Sequence, residues 1–416
     1  MLHIFSLIST ICRETLLYTE MVNVGGLIHN PDKLDDFIDY DPDIEPPLAL
    51  QLGGSDPDLL GRSVELCEQY KGGHFSEINL NCGCPSNKAK KAGFGAELML
   101  DPELVRRIVT EMNRKSHKTE ITVKCRIGTN RTDKWEDLVG FVDACRAGGV
   151  RRIIVHARLC LLNGLSPAQN RTIPPLQYDV VHRLVETFPD MKFGLNGGVK
   201  SFGEADWHLG RHAADGYGRE GEDEGGGRIS EGGAVCVGGE GVCADDGEEG
   251  AIHSLHTDPD HIEIAPPYQG DPLPLWGVST SPIHTVMIGR EAYHNPWMLA
   301  DADRYFYNCP NPGYSRREVL EKYLLYCTKV QDSGEFKSSA AVLCRPLHNY
   351  FAGCGGHYNR QYKRLFDQLI KDKISSNVSG RKEVRIDELV WEAVEGTIPE
   401  RYLDQRMGVD GYMIDS

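Results

Sequence analysis

Residues 77–99 read EINLNCGCPSNKAKKAGFGAELM, a pattern that predicts a strand, a polar loop and the start of a helix. Polar and apolar residues alternate over its first six positions, which is typical of a strand. A polar loop with two cysteines and several glycines follows. In an α/β barrel the catalytic residues lie just past the carboxyl ends of the strands, which is the position of this thiol pair. We interpret Cys82 as a packing residue, the usual fate of a free cysteine, and Cys84, which precedes Pro85 in the loop, as a functional thiol.

The same unit recurs along the chain: an apolar strand ends in a polar or glycine-bearing tip, and a helical segment follows. Seven strands of this kind can be read: LLYTEMV (16–22), LALQLGG (48–54), EINLNCGCP (77–85), ITVKCRIG (121–128), RIIVHAR (152–158), MKFGLNGGV (191–199) and HTVMIGREAY (284–293). Strands that alternate with helices predict a parallel sheet with right-handed crossovers. Because each strand ends in polar or glycine residues of the kind that form active sites, we expect an α/β fold of the TIM (β/α)8 barrel type.

The seven strands are one short of a full barrel. Residues 2–9 are apolar, but they lie too few residues before LLYTEMV for a parallel crossover, which needs about a dozen. We therefore expect these residues to form the remains of a first helix, and the first strand to be absent.

Residues 209–284 interrupt the pattern. They hold 16 glycines, 15 acidic and three basic residues, so 12 of the 16 net negative charges of the chain lie there. Such a composition cannot bury enough apolar surface to order itself, which predicts a disordered acidic insertion. Its histidines and aspartates do not sit in predicted rigid elements, so we expect no metal site. The nearly neutral remainder can still carry a basic patch, because salt screens charges beyond about 8–10 Å.

We divide the chain into an α/β barrel over 1–303, a helical domain over 304–374 and a polar, weakly structured tail over 375–416. Apolar residues recur at helical spacing after the last strand. The segment 345–373 holds six basic residues against two acidic ones, with Tyr358 and Tyr362 among them. Basic residues interleaved with aromatics are typical of an RNA-facing helix. A solvated helix face is the alternative.

Cysteine usage and hydropathy indicate the compartment. Thirteen cysteines are scattered without CxxC pairs, which favours reduced thiols. No apolar run reaches the roughly 18 residues that a membrane span needs. We expect a cytoplasmic protein with no membrane partner, and nothing in the sequence implies a stable protein partner.

The strand tips together predict a phosphate-bearing cofactor. The polar groups at the tips are Gln51, Lys124, His156, Asn196, Gly197, Gly198, Gly289 and Arg290. In a barrel, the glycine-rich loops after the last two strands form a phosphate site, and an arginine there adds a bidentate donor. There is no P-loop and no GxGxxG after the first strand, so flavin mononucleotide (FMN) fits better than a dinucleotide.

Many blocks in the same order show that the chain resembles the tRNA-dihydrouridine synthases, specifically the DusA subfamily, over residues 14–208 and 285–372. The blocks are LLYTEMV, LALQLGGSDP, EINLNCGCPS, AGFGAELM, ITVKCRIG, IVHAR, GLSPAQNRTIPPL, LNGGVK and VMIGREAYHNPW. The resemblance implies a TIM barrel that binds FMN, with NADPH as reductant and a helical domain that binds tRNA. It implies reduction of the carbon 5–carbon 6 double bond of a D-loop uracil at a position of the 20/20a type.

The resemblance also implies roles for single residues. Cys84 is the proton donor to carbon 5, after a hydride from the flavin reaches carbon 6. The eight tip residues named above hold FMN. The candidates for tRNA contact are Asn81, Arg171, Arg360 and Lys363. Ala168 stands where the family usually has a basic residue, so one contact is expected to be lost. An unperturbed cysteine, with a pKa of about 8.5, can serve as an acid at neutral pH.

Two departures from the family keep other interpretations open. The family's first strand, which contains Pro-Met and touches the flavin, is absent, and the acidic insertion precedes the last strand. A barrel with two open edges is expected to bind FMN poorly or to fold marginally. The alternatives are another FMN barrel that reduces a small pyrimidine, of the dihydroorotate dehydrogenase type, and a catalytically impaired tRNA-binding relative.

Overall fold

A computed structural model of the chain describes residues 2–39, 47–211, 234–238, 283–333, 340–375 and 384–407. The chain divides into two compact units. The sheet unit comprises Tyr18–Asp39 and Leu48–Ile288, and the helical unit comprises Met1–Leu17, Tyr40–Pro47 and Gly289–Ser416. No helix within the described ranges is long and apolar enough to cross a membrane.

Within the described ranges, nine strands form one sheet. They are β1 (Leu16–Tyr18), β2 (Val22–Asn23), β3 (Leu48–Gly53), β4 (Glu77–Cys82), β5 (Glu120–Arg126), β6 (Arg152–His156), β7 (Lys192–Asn196), β8 (Ala234–Gly238) and β9 (Thr285–Ile288). The order is β1-β8-β9-β7-β6-β5-β4-β3-β2, and β1 also pairs with β3. Since β1 meets β8 on one side and β3 on the other, eight strands close into a ring, with β2 as an appendage on β3. The predicted barrel of parallel strands is confirmed.

The strand β8 corrects the prediction for residues 209–284. Its residues 234–237 pair in parallel with residues 285–288 of β9. It lies between β9 and β1, which is the place in the ring that the expected first strand would occupy. The expectation that the whole insertion stays outside the fold is therefore wrong at 234–238, and so is the expectation of a barrel with two open edges. The rest of the insertion, over 212–233 and 239–282, lies outside the described residues.

Helices of the sheet unit alternate with the strands as predicted. They are α2 (Val24–His29), α3 (Asp35–Ile38), α4 (Pro57–Gln69), α5 (Asn87–Lys91), α6 (Pro102–Lys115), α7 (Trp135–Ala147), α8 (Tyr178–Thr187) and α9 (Phe202–Leu209). The start of α6 shows why the helices begin where they do. Asp101 accepts a hydrogen bond from the N–H of Leu104 at 2.9 Å, and Pro102 occupies the first helical position, where no N–H is needed.

The helical unit contains α1 (Leu2–Ile11), α10 (Arg290–His294), α11 (Ala302–Tyr307), α12 (Arg316–Ser333), α13 (Ala340–Cys344), α14 (Gly356–Leu369), α15 (Ile386–Glu395) and α16 (Glu400–Leu403). The helix predicted at the start of the chain is confirmed as α1. The units separate after Ile288, where β9 ends, whereas the predicted domain boundary is at residue 303.

The prediction of a polar, weakly structured tail from residue 375 is wrong over α15. This helix packs against α12 and α14. Its apolar residues recur at helical spacing and are buried, namely Ile386, Leu389, Val390, Ala393 and Val394. A helix with a buried apolar face belongs to the core of its unit.

Candidate active site

The registers of the parallel strands bring the predicted tip residues together in the sheet unit. Asn81 on β4 pairs with Lys124 on β5. His156 and Asn196 pair across β6 and β7, where each is the last residue of its strand. Because carboxyl ends of parallel strands meet at one edge, these four side chains belong to the same end of the ring.

Asn81 holds the loop that contains Cys84. The Asn81 Oδ1 atom accepts hydrogen bonds from the backbone N–H of Gly83 at 3.0 Å and of Cys84 at 2.9 Å. The carbonyl of Cys84 accepts from the N–H of Ala96 at 3.0 Å. Asn81 is buried and Cys84 is half-buried. The loop therefore fixes the backbone of Cys84 on both sides and leaves part of the residue accessible.

Gly95 permits this close packing. Its φ of +69° lies in the left-handed region, and a Cβ added there would lie 2.6 Å from the carbonyl oxygen of Cys84. A separation below 3.0 Å is a clash that the rigid backbone of Cys84 would have to relieve by moving. Only glycine fits this position without displacing the cysteine.

Cys82 differs from Cys84 in its surroundings. It is completely buried, and burial raises the pKa of its thiol well above the usual value; Cys145 and Cys125 add to the rise. A deeply buried neutral thiol acts as a small apolar side chain.

A network of side-chain amides continues inward from Asn81. Its Nδ2 atom donates to Oε1 of Gln51 at 2.6 Å, and Nε2 of Gln51 donates to Oδ1 of Asn79 at 2.9 Å. All three side chains are buried. Gln51, predicted as a cofactor ligand, is thus hydrogen-bonded to Asn81, predicted as a substrate contact.

Asn196 offers an unsatisfied acceptor at the same end of the ring. Its Nδ2 atom donates to the carbonyl of Met287 at 3.0 Å, while its buried Oδ1 atom has no hydrogen-bond partner within the described part of the chain. Gly197 and Gly198 follow with φ of +114° and +76°. A Cβ at Gly197 would lie 2.8 Å from the ring of His156. A buried polar atom normally has a partner, so Oδ1 of Asn196 suits a donor from a bound molecule.

Arg126 is a structural residue of the site that sequence reasoning missed. It is 3% exposed, and its guanidinium donates to the carbonyls of Gly83 at 3.2 Å, Leu159 at 3.3 Å and Asn170 at 2.8 Å. Arg126 thereby ties the Cys84 loop to the two loop segments after β6. The signal was present in the sequence, since a second basic residue follows Lys124 at the end of the same strand.

Besides Asn81 on β4, the sheet unit contains one further predicted RNA contact, Arg171, and a group of lysines on α5. Arg171 is half-buried and ends a 3₁₀ turn over Gln169–Arg171. Lys90 on α5 donates to the carbonyl of Leu162 at 2.9 Å, whereas Lys88 and Lys91 on the same short helix are exposed. Lys90 thus connects α5 to the loop after β6.

The remaining predicted residues belong to the helical unit. Gly289 precedes α10, and Arg290 is its exposed first residue. On α14, Arg360 is exposed, and Lys363 is half-buried, with its Nζ atom donating to Oδ1 of Asn349 at 2.6 Å. Tyr362 is completely buried and donates to the carbonyl of Leu347 at 3.2 Å, so it is a core residue and not part of an RNA-facing surface.

The ranges that the structure describes contain no group of three or more histidine, cysteine, aspartate or glutamate residues that could hold a metal ion. His253, His256 and His261 lie outside these ranges.

Comparisons with known proteins find relatives of this chain over most of its length. The family model described as dihydrouridine synthase (Dus) matches residues 2–220 and 278–384. A tRNA-dihydrouridine(20/20a) synthase of Pseudomonas putida is 35% identical over 322 residues, which are 77% of this chain and 73% of that protein. The protein of the same name in Synechocystis is 33% identical over 314 residues, covering 76% and 71%. A third, from Xanthomonas axonopodis, is 45% identical over 197 residues, covering 47% and 57%.

Proposed function

The chain belongs to the dihydrouridine synthase family, and on this premise we propose that it reduces a uracil of tRNA to dihydrouracil. The relatives that it matches carry names that specify positions 20 and 20a of tRNA. We infer the same class of substrate, a uridine of the D-loop. The single observation that carries the proposal is the Asn81–Cys84 loop, which holds a half-buried thiol at the carboxyl ends of the strands.

The residues of the sheet unit fit a flavin. A flavin ring presents N–H donors and carbonyl acceptors, and the buried Oδ1 atom of Asn196 needs a donor. Lys124 is half-buried and His156 is buried at the same end of the ring, so both can serve carbonyl oxygens and ring nitrogens. Gln51 retains a second Nε2 hydrogen beyond the one given to Asn79. These groups support FMN as the cofactor, with NADPH as its reductant. We assign Gly197 and Gly198 to the binding of the FMN phosphate. Gly289 and Arg290 are assigned to the same role.

Two groups complete the reduction. When bound and reduced, FMN supplies a hydride to carbon 6 of the uracil. Cys84 donates its proton to carbon 5, so that the double bond becomes a single bond and a thiolate remains, which solvent reprotonates. The uracil must leave the base stack to reach this loop, and the amide of Asn81 beside the thiol can hydrogen-bond the extruded base.

Recognition of the rest of the tRNA is assigned to basic side chains. Arg360 and Lys363 lie on α14, and Arg171 lies on a loop after β6. Contacts of this kind position a nucleic acid through its phosphates and read no sequence. The cytoplasmic location remains a prediction.

The test compares two cysteine variants that differ in burial. Cys84→Ala is expected to lower dihydrouridine formation in unmodified tRNA with NADPH by about 10²–10⁴-fold, the usual contribution of a general acid. Cys82→Ala, the matched control, is expected to lower stability by about 1 kcal/mol and leave the turnover intact. Dihydrouridine is measured by mass spectrometry of digested tRNA. Equal turnover in the two variants would refute the role of Cys84, and tRNA binding without turnover in the unmodified protein would indicate a binding-only relative.

A further inference from the structure

Five hydrogen bonds connect the backbone of Cys84 to a buried carboxylate on the other end of β4. In order, the Cys84 N–H donates to Asn81 at 2.9 Å, Asn81 to Gln51 at 2.6 Å, Gln51 to Asn79 at 2.9 Å, Asn79 to Thr122 at 2.7 Å, and Thr122 to Oε1 of Glu77 at 3.2 Å. Apart from Cys84, every member is at most 8% exposed. We call this series the amide chain.

The chemistry of the amide chain fixes its direction. A side-chain amide donates only from nitrogen and accepts only on oxygen. The backbone N–H groups of Gly83 and Cys84 can only donate, so Asn81 must turn its oxygen to the loop and its nitrogen to Gln51. The same constraint passes through Gln51 and Asn79 to the hydroxyl of Thr122. Thr122 accepts from Asn79, so its hydroxyl hydrogen is donated onward. The atom that receives it must be an acceptor that carries no hydrogen.

Glu77 meets this requirement as a carboxylate, which accepts on both oxygens and carries no hydrogen. Its Oε1 atom accepts from Thr122 of β5 and from the hydroxyl of Tyr18 of β1, and its Oε2 atom accepts from Arg152 of β6. Arg152 also contacts Glu120 of β5 at 2.8 Å, so Glu120 is the second charge near the site. Burial raises the pKa of Glu77 to about 7, and Arg152 opposes the rise. A proton on Oε1 would meet the hydroxyls of Thr122 and Tyr18, and a proton on Oε2 would meet Arg152, so in either position at least one of these hydrogen bonds would weaken or break.

We propose that Glu77 is a positioning residue, whose carboxylate accepts the last hydrogen bond of the amide chain and so holds Cys84 in place for proton donation. The proposal rests on the proposed function, in which Cys84 is the acid. Glu77 touches neither the thiol nor the base, and it acts through Thr122, Asn79, Gln51 and Asn81.

Four variants of the full-length, FMN-loaded protein test the proposal. Glu77→Gln must turn its NH₂ group either to Arg152 or to Thr122 and Tyr18, all of which donate. Glu120→Gln makes the same chemical change on the same guanidinium but lies outside the amide chain. Thr122→Val removes the hydroxyl, whereas Thr122→Ser keeps it. Two half-reactions are followed by flavin absorbance: reduction by NADPH without tRNA, and reoxidation by tRNA.

Glu77→Gln and Thr122→Val are expected to slow reoxidation by tRNA about tenfold, which corresponds to one lost hydrogen bond. Reduction by NADPH, which does not use Cys84, should stay at the rate of the unmodified protein. Glu120→Gln and Thr122→Ser should resemble the unmodified protein in both half-reactions. The proposal is overturned if Glu77→Gln slows both half-reactions equally, or if Thr122→Val keeps the normal rate of reoxidation.

A second measurement separates this proposal from the proposed function. Hydrogen exchange at the backbone N–H groups of Gly83 and Cys84 needs no tRNA and no turnover. Exchange there should be about tenfold faster in Glu77→Gln and Thr122→Val than in Glu120→Gln. If the unmodified protein makes no dihydrouridine, the proposed function fails, and the exchange rates still decide whether Glu77 holds the loop. Equal exchange in all variants would refute the role of Glu77.

Discussion

The strands β4 and β8 belong to one ring but contribute to it in different ways. β4 is a run of six buried residues in which Glu77, Asn79 and Asn81 carry a hydrogen-bonded network towards Cys84. β8 is five residues, AVCVG, taken from the most acidic and glycine-rich part of the chain, and it is aligned with β9 over residues 234–237. A place in the ring requires only paired backbone groups, whereas the active site requires particular side chains. A short segment can therefore close the ring whatever its side chains are, whereas the active site needs the particular side chains of β4.

The largest effect is expected from breaking the backbone of β8. Val235→Pro together with Val237→Pro removes two N–H groups from the same side of a strand that has β9 and β1 as neighbours. Each carbonyl left without its partner costs about 1–3 kcal/mol, so two are a large part of a typical stability of 5–15 kcal/mol. We expect loss of the cooperative thermal transition, followed by circular dichroism, together with loss of bound flavin.

Lys134→Pro is the control for the double proline variant. Lys134 is exposed, has a φ of −85° close to that of proline, and precedes α7 as its N-cap. It should melt within a few degrees of the unmodified protein. A double variant that melts like Lys134→Pro would mean that β8 is dispensable and that the barrel tolerates an open edge.

Local sequence cannot reveal which segment closes the ring. The average over residues 209–284 is acidic and glycine-rich, and five residues with two valines do not change that average. Residue 235 pairs with residue 286 because β9 and β1 each have an edge whose backbone groups β8 can pair with. No local sequence pattern encodes such a long-range contact. The wrong prediction for the tail from residue 375 has a similar cause. The acidic residues of IDELVWEAVE divide the segment into short apolar runs, although its apolar residues recur at helical spacing.

The positions of the strand tips follow from the sequence, but the contacts between them do not. Asn81 and Cys84 stand out because polar residues follow an alternating strand. That Asn79 donates to Thr122 depends on the register of β4 against β5, which the sequence leaves open. Arg126 likewise reaches three carbonyls that are up to 44 residues away along the chain. Gly289 and Arg290, which belong to the helical unit, remain predictions as cofactor ligands.

The second prediction concerns the buried carboxylate at the start of β4. The pKa of Glu77 rises from 4.5 to about 7 on burial, so the folded protein holds this proton more tightly than the unfolded chain does. The stability that this group contributes is complete below pH 4.5 and is lost as the pH rises to 7. Glu77→Gln does not titrate. Its free energy of unfolding, relative to the unmodified protein, should therefore improve by about 3 kcal/mol between pH 4.5 and pH 8.

The measurement for Glu77 is urea unfolding of both proteins across this pH range. Glu120→Gln changes the other carboxylate on Arg152 and should not reproduce the pH-dependent difference. If the difference between Glu77→Gln and the unmodified protein is the same at every pH, Glu77 does not titrate in this window, and its ion pair with Arg152 outweighs burial.

The smallest effect on stability, with a larger effect on chemistry, is expected from Gly95→Ala after β4. The new Cβ would lie 2.6 Å from the carbonyl oxygen of Cys84, and the φ of +69° is unfavourable for alanine. We expect a loss of about 1–3 kcal/mol in the free energy of unfolding from the left-handed backbone and the clash. Because the Cys84 carbonyl must move, its hydrogen bond from Ala96 should weaken, and dihydrouridine formation should fall about tenfold or more.

Gly140→Ala is the matched control, since Gly140 lies in the middle of α7 with no atom within 4 Å of the added Cβ. There the same substitution should raise stability by about 0.5–1 kcal/mol, because alanine favours the helix, and leave activity unchanged. Urea unfolding and the tRNA assay measure both variants. Two variants with the same stability and turnover would show that the loop after β4 adapts to a side chain, and that its backbone is no more constrained than the exposed face of α7.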